Sequence, residues 1–142
     1  MPGAFLYAKE GRAVDELERI AAEYEKIFPP EKLRNWILKC QREDAMWKFY
    51  KSRYFRILRA MVLEAQHNEC QICLSRGEVT TADTVHHVKH VRDFPELALS
   101  PYYYEGGKRK RNLIAICKSC HANEHPEKMQ QANKPALTEE RW

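Results

Sequence analysis

Apolar residues recur at steps of three and four through the first half of the chain, then give way to short β-branched runs. Residues 1–14 carry little pattern. Asp15 followed by Glu18 has the form of a capping box at a helix start. Leu17, Ile20, Ala21, Tyr24 and Ile27 then follow at helical spacing. Pro29-Pro30 ends this helix and opens the next, because proline is tolerated in a first turn but not in a helix interior. Leu33, Trp36, Ile37 and Cys40 mark one face of the second helix. The spacing predicts a third helix from about Ala45 to Gln66. Its apolar face is Trp47, Tyr50, Tyr54, Leu58 and Met61, with Phe49, Ile57 and Val62 flanking. Aromatic residues at that spacing read as core rather than as platforms for stacking bases.

From Glu69 the pattern changes. Cys70-Gln-Ile-Cys73 leads into a turn at Leu74-Ser-Arg-Gly77, and Val79 to Val88 reads as a strand. Residues 89–111 form a long connection punctuated by Pro95, Pro101 and Gly106-Gly107. A connection of that length inside a compact module points to function or to a segment that is specially tied down. Asn112 to Ile116 reads as a second short strand and Lys118 to about His125 as a helix, ended near Pro126. The reading is therefore α+β. A helical N-terminal layer spans 1–66, a small module of two strands and a helix spans 67–128, and a flexible tail spans 129–142. No internal repeat is visible.

With 44% apolar residues over 142 positions, the chain can build one packed core. No apolar run approaches the ~18 residues of a membrane helix. The start, Met-Pro-Gly-Ala-Phe-Leu-Tyr, lacks the charged and apolar regions of a secretory signal. The expectation is a soluble, cytoplasmic protein without membrane contact. Net charge is +4 but uneven. Residues 1–44 hold 8 Lys/Arg and 9 Asp/Glu, residues 45–66 hold 5 and 1, and residues 67–142 hold 11 and 10. The excess sits on the third predicted helix, where Lys48, Arg56 and Arg59 line one face with Ser52. That face is either a solvated helix surface or the docking side for a polyanion.

Four of the five cysteines form two hooks, Cys70-x2-Cys73 and Cys117-x2-Cys120. A two-residue gap lets both sulfurs of a hook reach one metal, and four thiolates match tetrahedral zinc with no open position. Such a zinc is structural. It ties two hooks together across the 43 residues between Cys73 and Cys117. The fifth, Cys40, reads as a small buried apolar residue.

Four of the six histidines interlock with this frame. His86-His87 lies on the predicted strand, so the two rings point to opposite faces and take different jobs. His121 and His125 sit at i and i+4 and share a helix face. The pattern His86-His87, Asn112, Cys117-x2-Cys120-His121-x3-His125 resembles the HNH endonucleases of the ββα-metal group. Val85-His-His-Val-Lys, Pro95-Glu-Leu and Asn112-Leu-x3-Cys-x2-Cys-His are most similar to the small HNH nucleases encoded by bacteriophages. The resemblance covers about residues 69–126. It implies a zinc-stabilised, treble-clef-like ββα-metal module. It implies His87 as the general base that takes a proton from the attacking water, and Asn112 as the brace of the loop that orients it. His86, His121 and His125 then hold a catalytic divalent metal. Many relatives have Asp where this chain has His86, which shifts the site toward imidazole ligation. Imidazole suits Mn²⁺, Ni²⁺, Co²⁺ or Zn²⁺ better than Mg²⁺, although cellular supply makes Mg²⁺ or Mn²⁺ the expected working ion. His90, three residues past His87, reads as a surface or phosphate-contacting residue ahead of a ligand, and His67 as structural or exposed.

Lys108, Arg109, Lys110 and Arg111 directly precede Asn112 and read as a flexible cationic loop that clamps a DNA backbone. Tyr102-Tyr-Tyr104 either stacks on bases or anchors that loop. No element reads as a major-groove recognition helix, so low sequence specificity is expected. The leading function is a DNA endonuclease that mainly nicks. The resemblance also implies work beside the large subunit of a phage DNA-packaging terminase. A non-catalytic zinc module that binds nucleic acid is the alternative, and an adaptor that works through its helical arm is a third. Only the nuclease needs His86, His87, Asn112, His121 and His125 together. Oligomeric state is not encoded in any motif.

Overall fold

The computed structural model describes residues 2–124, with side chains from residue 12 onward. His125 and the expected tail at 129–142 lie outside the described residues. Helix α1 spans Pro2–Ile27 and α2 spans Pro30–Arg42. The capping box expected at Asp15 is not a helix start, since Asp15 lies exposed in mid-helix. Proline is preorganised for a first turn, and Ala4, Leu6, Ala8, Lys9 and Glu10 are good helix formers, so the helix begins at Pro2 without an amphipathic signal. The break at Pro29 is as expected. Pro29 occupies the N-cap, Pro30 follows, and Leu33, Ile37 and Cys40 are buried at helical spacing.

The single helix expected over 45–66 is two: α3 (Met46–Tyr50) and α4 (Arg53–Ala65). Ser52 makes the break. Its hydroxyl donates to the Phe49 carbonyl (2.6 Å) and accepts from the Phe55 amide (3.3 Å), so it closes one helix and caps the next. This rotates the buried face. Phe49, Phe55, Leu58 and Val62 are buried, and Tyr50, Tyr54 and Met61 pack partly against them. Trp47, expected in the core, is 58% exposed, and Ile57 is also exposed.

α5 (Gln71–Ser75) is a single short helix that carries Cys73 of the first hook and ends before Gly77. Strand β1 is Thr84–His87, shorter than the 79–88 expected. The connection at 89–111 holds more structure than a loop. A 3-10 turn spans Pro95–Leu97, and strands β2 (Tyr102–Glu105) and β3 (Lys108–Arg111) form an antiparallel hairpin. Gly106 and Gly107 both have positive φ, 59° and 75°, as a two-residue hairpin turn requires. Lys108, Arg109, Lys110 and Arg111 thus form a strand rather than a flexible loop, with Lys110 opposite Tyr103 and Arg109 opposite Tyr104. β4 (Leu113–Ile116) pairs antiparallel with β1, placing His86 opposite Ile114 and His87 opposite Leu113. α6 (Lys118–Glu124) follows and packs on β1.

One core joins the helical layer to the small sheet. Leu17 and Tyr24 of α1, Leu33 and Ile37 of α2, and Phe55, Leu58 and Val62 of α4 meet Val85, Val91, Leu99 and Leu113. Gln66 completes the join. Its side-chain amide donates to the Leu113 carbonyl (3.0 Å) and accepts from the Ala115 amide (2.7 Å), so it pairs with β4 as a further strand residue would. No helix among the described residues is long and apolar enough to cross a membrane.

Candidate metal centre and active site

The two cysteine hooks converge. All four sulfurs lie within 4.8 Å of one another and all four residues are buried. Cys70 caps α5, β4 delivers Cys117, and the first turn of α6 delivers Cys120. Zinc–sulfur bonds of ~2.3 Å in a tetrahedron set sulfurs about 3.8 Å apart. Cys73 Sγ lies 3.8 Å from Cys117 Sγ and 3.6 Å from Cys120 Sγ. Burial alone would raise the Cys70 thiol, yet the backbone amides of Cys73 and Cys117 and the neighbouring thiols bring it down to about 7. Burial and the same neighbours push Cys120 up to about 12. Sulfurs this close cannot all ionise unless a cation sits among them, and this donor set fits zinc. One contact has no signal in the sequence. Arg76 Nη2 lies 3.4 Å from Cys120 Sγ and 4.0 Å from Cys73 Sγ.

The two histidines of β1 point to opposite faces, as strand alternation requires. His86 faces α6. Its ring centroid lies 6.2 Å from that of His121 and 5.7 Å from that of His90. Two imidazoles on one ion, with metal–nitrogen bonds of ~2.1 Å, have centroids roughly 5–6.5 Å apart. The His86–His121 pair therefore fits a shared divalent cation. His90, read as a surface or phosphate residue, lies beside this pair. Among the described residues the cysteine quartet is the one group of three or more donors within 4.8 Å of one another.

His87 faces α4. It is 1% exposed, and its ring stacks on Phe55 at 5.5 Å and 17°. Its Nε2 lies 2.9 Å from the Ala98 carbonyl. A carbonyl only accepts, so Nε2 carries the proton and Nδ1 is the basic nitrogen. Burial pushes the ring down to about 4, which keeps it neutral at pH 7.

Asn112, fully buried, fastens the loop that supplies this carbonyl. Its Nδ2 donates to the carbonyls of Leu97 (3.0 Å) and Ser100 (2.9 Å), on either side of Ala98. Its Oδ1 accepts from the Lys89 amide at 2.9 Å. A chain of hydrogen bonds thus runs from Asn112 through the loop to His87. The partners of that chain, Ala98 and Phe55, were not legible as site residues.

The predicted DNA-contacting residues divide. Lys48, Arg56, Lys108, Arg109, Lys110 and Arg111 are exposed. Several of them already hold partners within the chain. Arg59 donates to the Asp83 carbonyl at 2.6 Å. Arg109 pairs with Glu18 of α1 and lies over the Tyr102 ring at 4.2 Å, and Arg111 donates to Gln71. Lys110 pairs with Glu105 across the hairpin at 3.5 Å, so its charge is partly answered on the strand itself. Lys89 shares that carboxylate at 3.2 Å and sits 5.0 Å from the ring centroids of both Phe94 and Tyr103. The two lysines hold the Glu105 carboxyl below its ordinary range. Tyr102 and Tyr103 thus anchor cations, whereas Tyr104 is 75% exposed. A cavity of about 700 Å³ between α1 and the hairpin contains none of the histidines.

Residues 70–127 match the family model described as HNH endonuclease. No curated protein matches. Among solved structures, the fold is similar to the HNH endonuclease of deep-sea thermophilic bacteriophage GVE2, crystallised with manganese ion. The two share 26% sequence identity at a TM-score of 0.51, over 66% of this chain and 91% of that one.

Proposed function

We propose that the protein, whose residues 70–127 match the HNH endonuclease family model, hydrolyses phosphodiester bonds in DNA at a site built from His86, His87, Asn112 and His121, with His125. The observation that carries this reading is the approach of His86 on β1 to His121 on α6, beside the loop that Asn112 braces. His86 and His121 hold a divalent cation, with His125 as the further ligand. When bound, that cation supplies charge stabilisation to the phosphate and the departing 3′ oxygen. Mn²⁺ or Mg²⁺ is the proposed working ion, with Ni²⁺, Co²⁺ and Zn²⁺ admitted by the imidazole donors. His87, held as the Nε2–H tautomer by Ala98, accepts the proton of the attacking water at Nδ1. Asn112 acts through the loop as a positioning residue. The cysteine quartet holds a structural zinc. Lys108, Lys110 and Arg111 on the exposed strand β3, together with Lys48 and Arg56, supply cations for the phosphate backbone.

One observation favours a second reading of His87. A ring 1% exposed and stacked on Phe55 can serve as packing rather than as a base. Supercoiled plasmid, incubated with EDTA, Mg²⁺, Mn²⁺, Ni²⁺ or Zn²⁺, separates the readings when a His87→Ala variant is run alongside. A base predicts a rate loss of roughly 10²–10⁴-fold with protein still folded. A packing residue predicts loss of melting temperature with activity kept in the folded fraction. Absence of cleavage with every metal would overturn the nuclease reading itself.

A single active site per chain makes nicking the primary event. Contacts to the phosphate backbone carry little sequence information, so we propose low specificity. A role beside a phage terminase large subunit fits the likeness to a phage nuclease. Co-purification of the two proteins tests that role.

A further inference from the structure

Trp47 has left the core that its spacing predicted for it. It is 58% exposed, whereas Phe49, two residues on, is fully buried. Lys48 Nζ and Lys51 Nζ lie 5.9 and 5.8 Å from the Trp47 ring centroid. The cations continue onto α4, where Arg53 and Arg56 are exposed and line a shallow depression with Ile57 and Ala60. Glu43 opposes Lys48 at 3.9 Å. The surface faces away from the histidines, because the inward side of the same helices carries Phe49 and Phe55, and Phe55 stacks on His87.

A large aromatic ring between cations, on a segment holding five Lys/Arg and one Asp/Glu, is matched by a polyanion that also offers flat rings. Duplex DNA buries its base faces in the stack and can use only the lysines and arginines here. An unpaired strand can use the cations along its backbone and the indole for a base. A membrane surface fits less well, since α3 has five residues and cannot present an amphipathic face of useful length. We infer that the outward face of α3 and the start of α4, centred on Trp47, binds single-stranded nucleic acid. This deepens the nuclease reading and rests on it: the substrate then includes an unpaired stretch held on a face apart from the histidine site.

The test uses the full zinc-loaded chain without added Mg²⁺ or Mn²⁺ and with phosphorothioate-linked oligonucleotides, so that cleavage is suppressed while the cysteine centre stays intact. Fluorescence anisotropy with labelled (dT)15 and with a duplex of equal length is measured for the parent, Trp47→Ala, Trp47→Phe, and Lys48→Gln with Lys51→Gln. Trp47→Ala should weaken (dT)15 binding about tenfold, with Trp47→Phe retaining most of it and the duplex changing by less than about twofold. The double lysine variant should lower the salt slope for (dT)15 by about 1.4. Trp47 is exposed, so an unchanged melting temperature shows that the variants are folded. Equal binding of (dT)15 by the parent and Trp47→Ala would overturn the inference, as would equal losses on single strand and duplex. Trp47-dependent binding to phosphatidylserine vesicles with none to (dT)15 would overturn it in favour of a membrane. Because cleavage is not read here, a failed plasmid assay with intact (dT)15 binding removes the nuclease and leaves this surface.

Discussion

The cysteine quartet and the histidine site are close in sequence and unlike in construction. Each cysteine hook is closed within one turn of chain, and Cys73 Sγ already stands at tetrahedral spacing from the sulfurs of Cys117 and Cys120. The histidines come from separate elements, β1 and α6, and the rings of His86 and His121 stand 6.2 Å apart. The neighbouring His87 keeps its orientation through a loop that is itself held by Asn112. One centre is assembled by local geometry, and the other is positioned by long-range hydrogen bonds. The first can therefore fold the module, whereas the second depends on the module being folded.

Breaking the cysteine centre should have the largest effect. Structural zinc contributes on the order of 10 kcal/mol to small domains. Cys70→Ser, or strong chelation of the parent, should abolish cooperative melting of the module together with bound zinc. His86→Ala should keep both. Zinc analysis and a circular-dichroism melt read the contrast. It collapses if Cys70→Ser keeps its zinc and its transition.

Asn112 comes next. Truncation to alanine strands the Lys89 amide and the Leu97 and Ser100 carbonyls in a buried setting, which costs about 3 kcal/mol. Urea denaturation at saturating zinc measures this. Nuclease activity should fall even in the folded fraction, because His87 loses the fixed position of Ala98. A variant that loses stability and keeps full activity per folded molecule would separate the loop from the site.

Gln66 tests the join between the two layers. It makes two buried hydrogen bonds to β4, 47 and 49 residues away in sequence. Gln66→Leu should destabilise by about 2 kcal/mol. Zinc content should stay unchanged, since no cysteine is touched. A lowered zinc stoichiometry would mean that the quartet depends on the helical layer more than its local geometry implies.

These residues also show what a sequence can disclose. The hooks were legible because metal chemistry fixes donor type and short spacing, whereas His86, Asn112 and His121 stood out through the family resemblance. Gln66 and Arg76 were not, because their partners lie across the fold and polar side chains carry no periodicity. The hairpin at 102–111 did have a signal, β-formers ahead of Gly106-Gly107, but four successive cations read as a flexible loop. What makes Lys108 to Arg111 a strand is the pairing with Tyr102 to Glu105, and the Lys110–Glu105 ion pair sits on that ladder. Ser52 hid the break between α3 and α4, since an apolar pattern passes through a single serine unchanged. Trp47 followed from that miss, because the turn at Ser52 rotates α3 and carries the indole outward.

Arg76 offers the finest separation of the two centres. Zinc with four thiolates carries a net charge of −2, and a guanidinium 3.4 Å from Cys120 Sγ and 4.0 Å from Cys73 Sγ disperses part of it. Arg76 is exposed, so its removal should leave stability nearly unchanged. Its effect should instead appear in kinetics. Arg76→Met should release zinc several-fold faster under N-ethylmaleimide, read with a chromogenic chelator, and Arg76→Lys should fall between the variant and the parent. Mass spectrometry of the first alkylation gives the sharper result, because only Cys73 and Cys120 lie beside the guanidinium. Faster reaction at all four cysteines would indicate general loosening of the hooks. Faster reaction at Cys73 and Cys120 alone would show that the pair of sulfurs nearest Arg76 is shielded by charge, whereas Cys70 relies on burial and backbone amides.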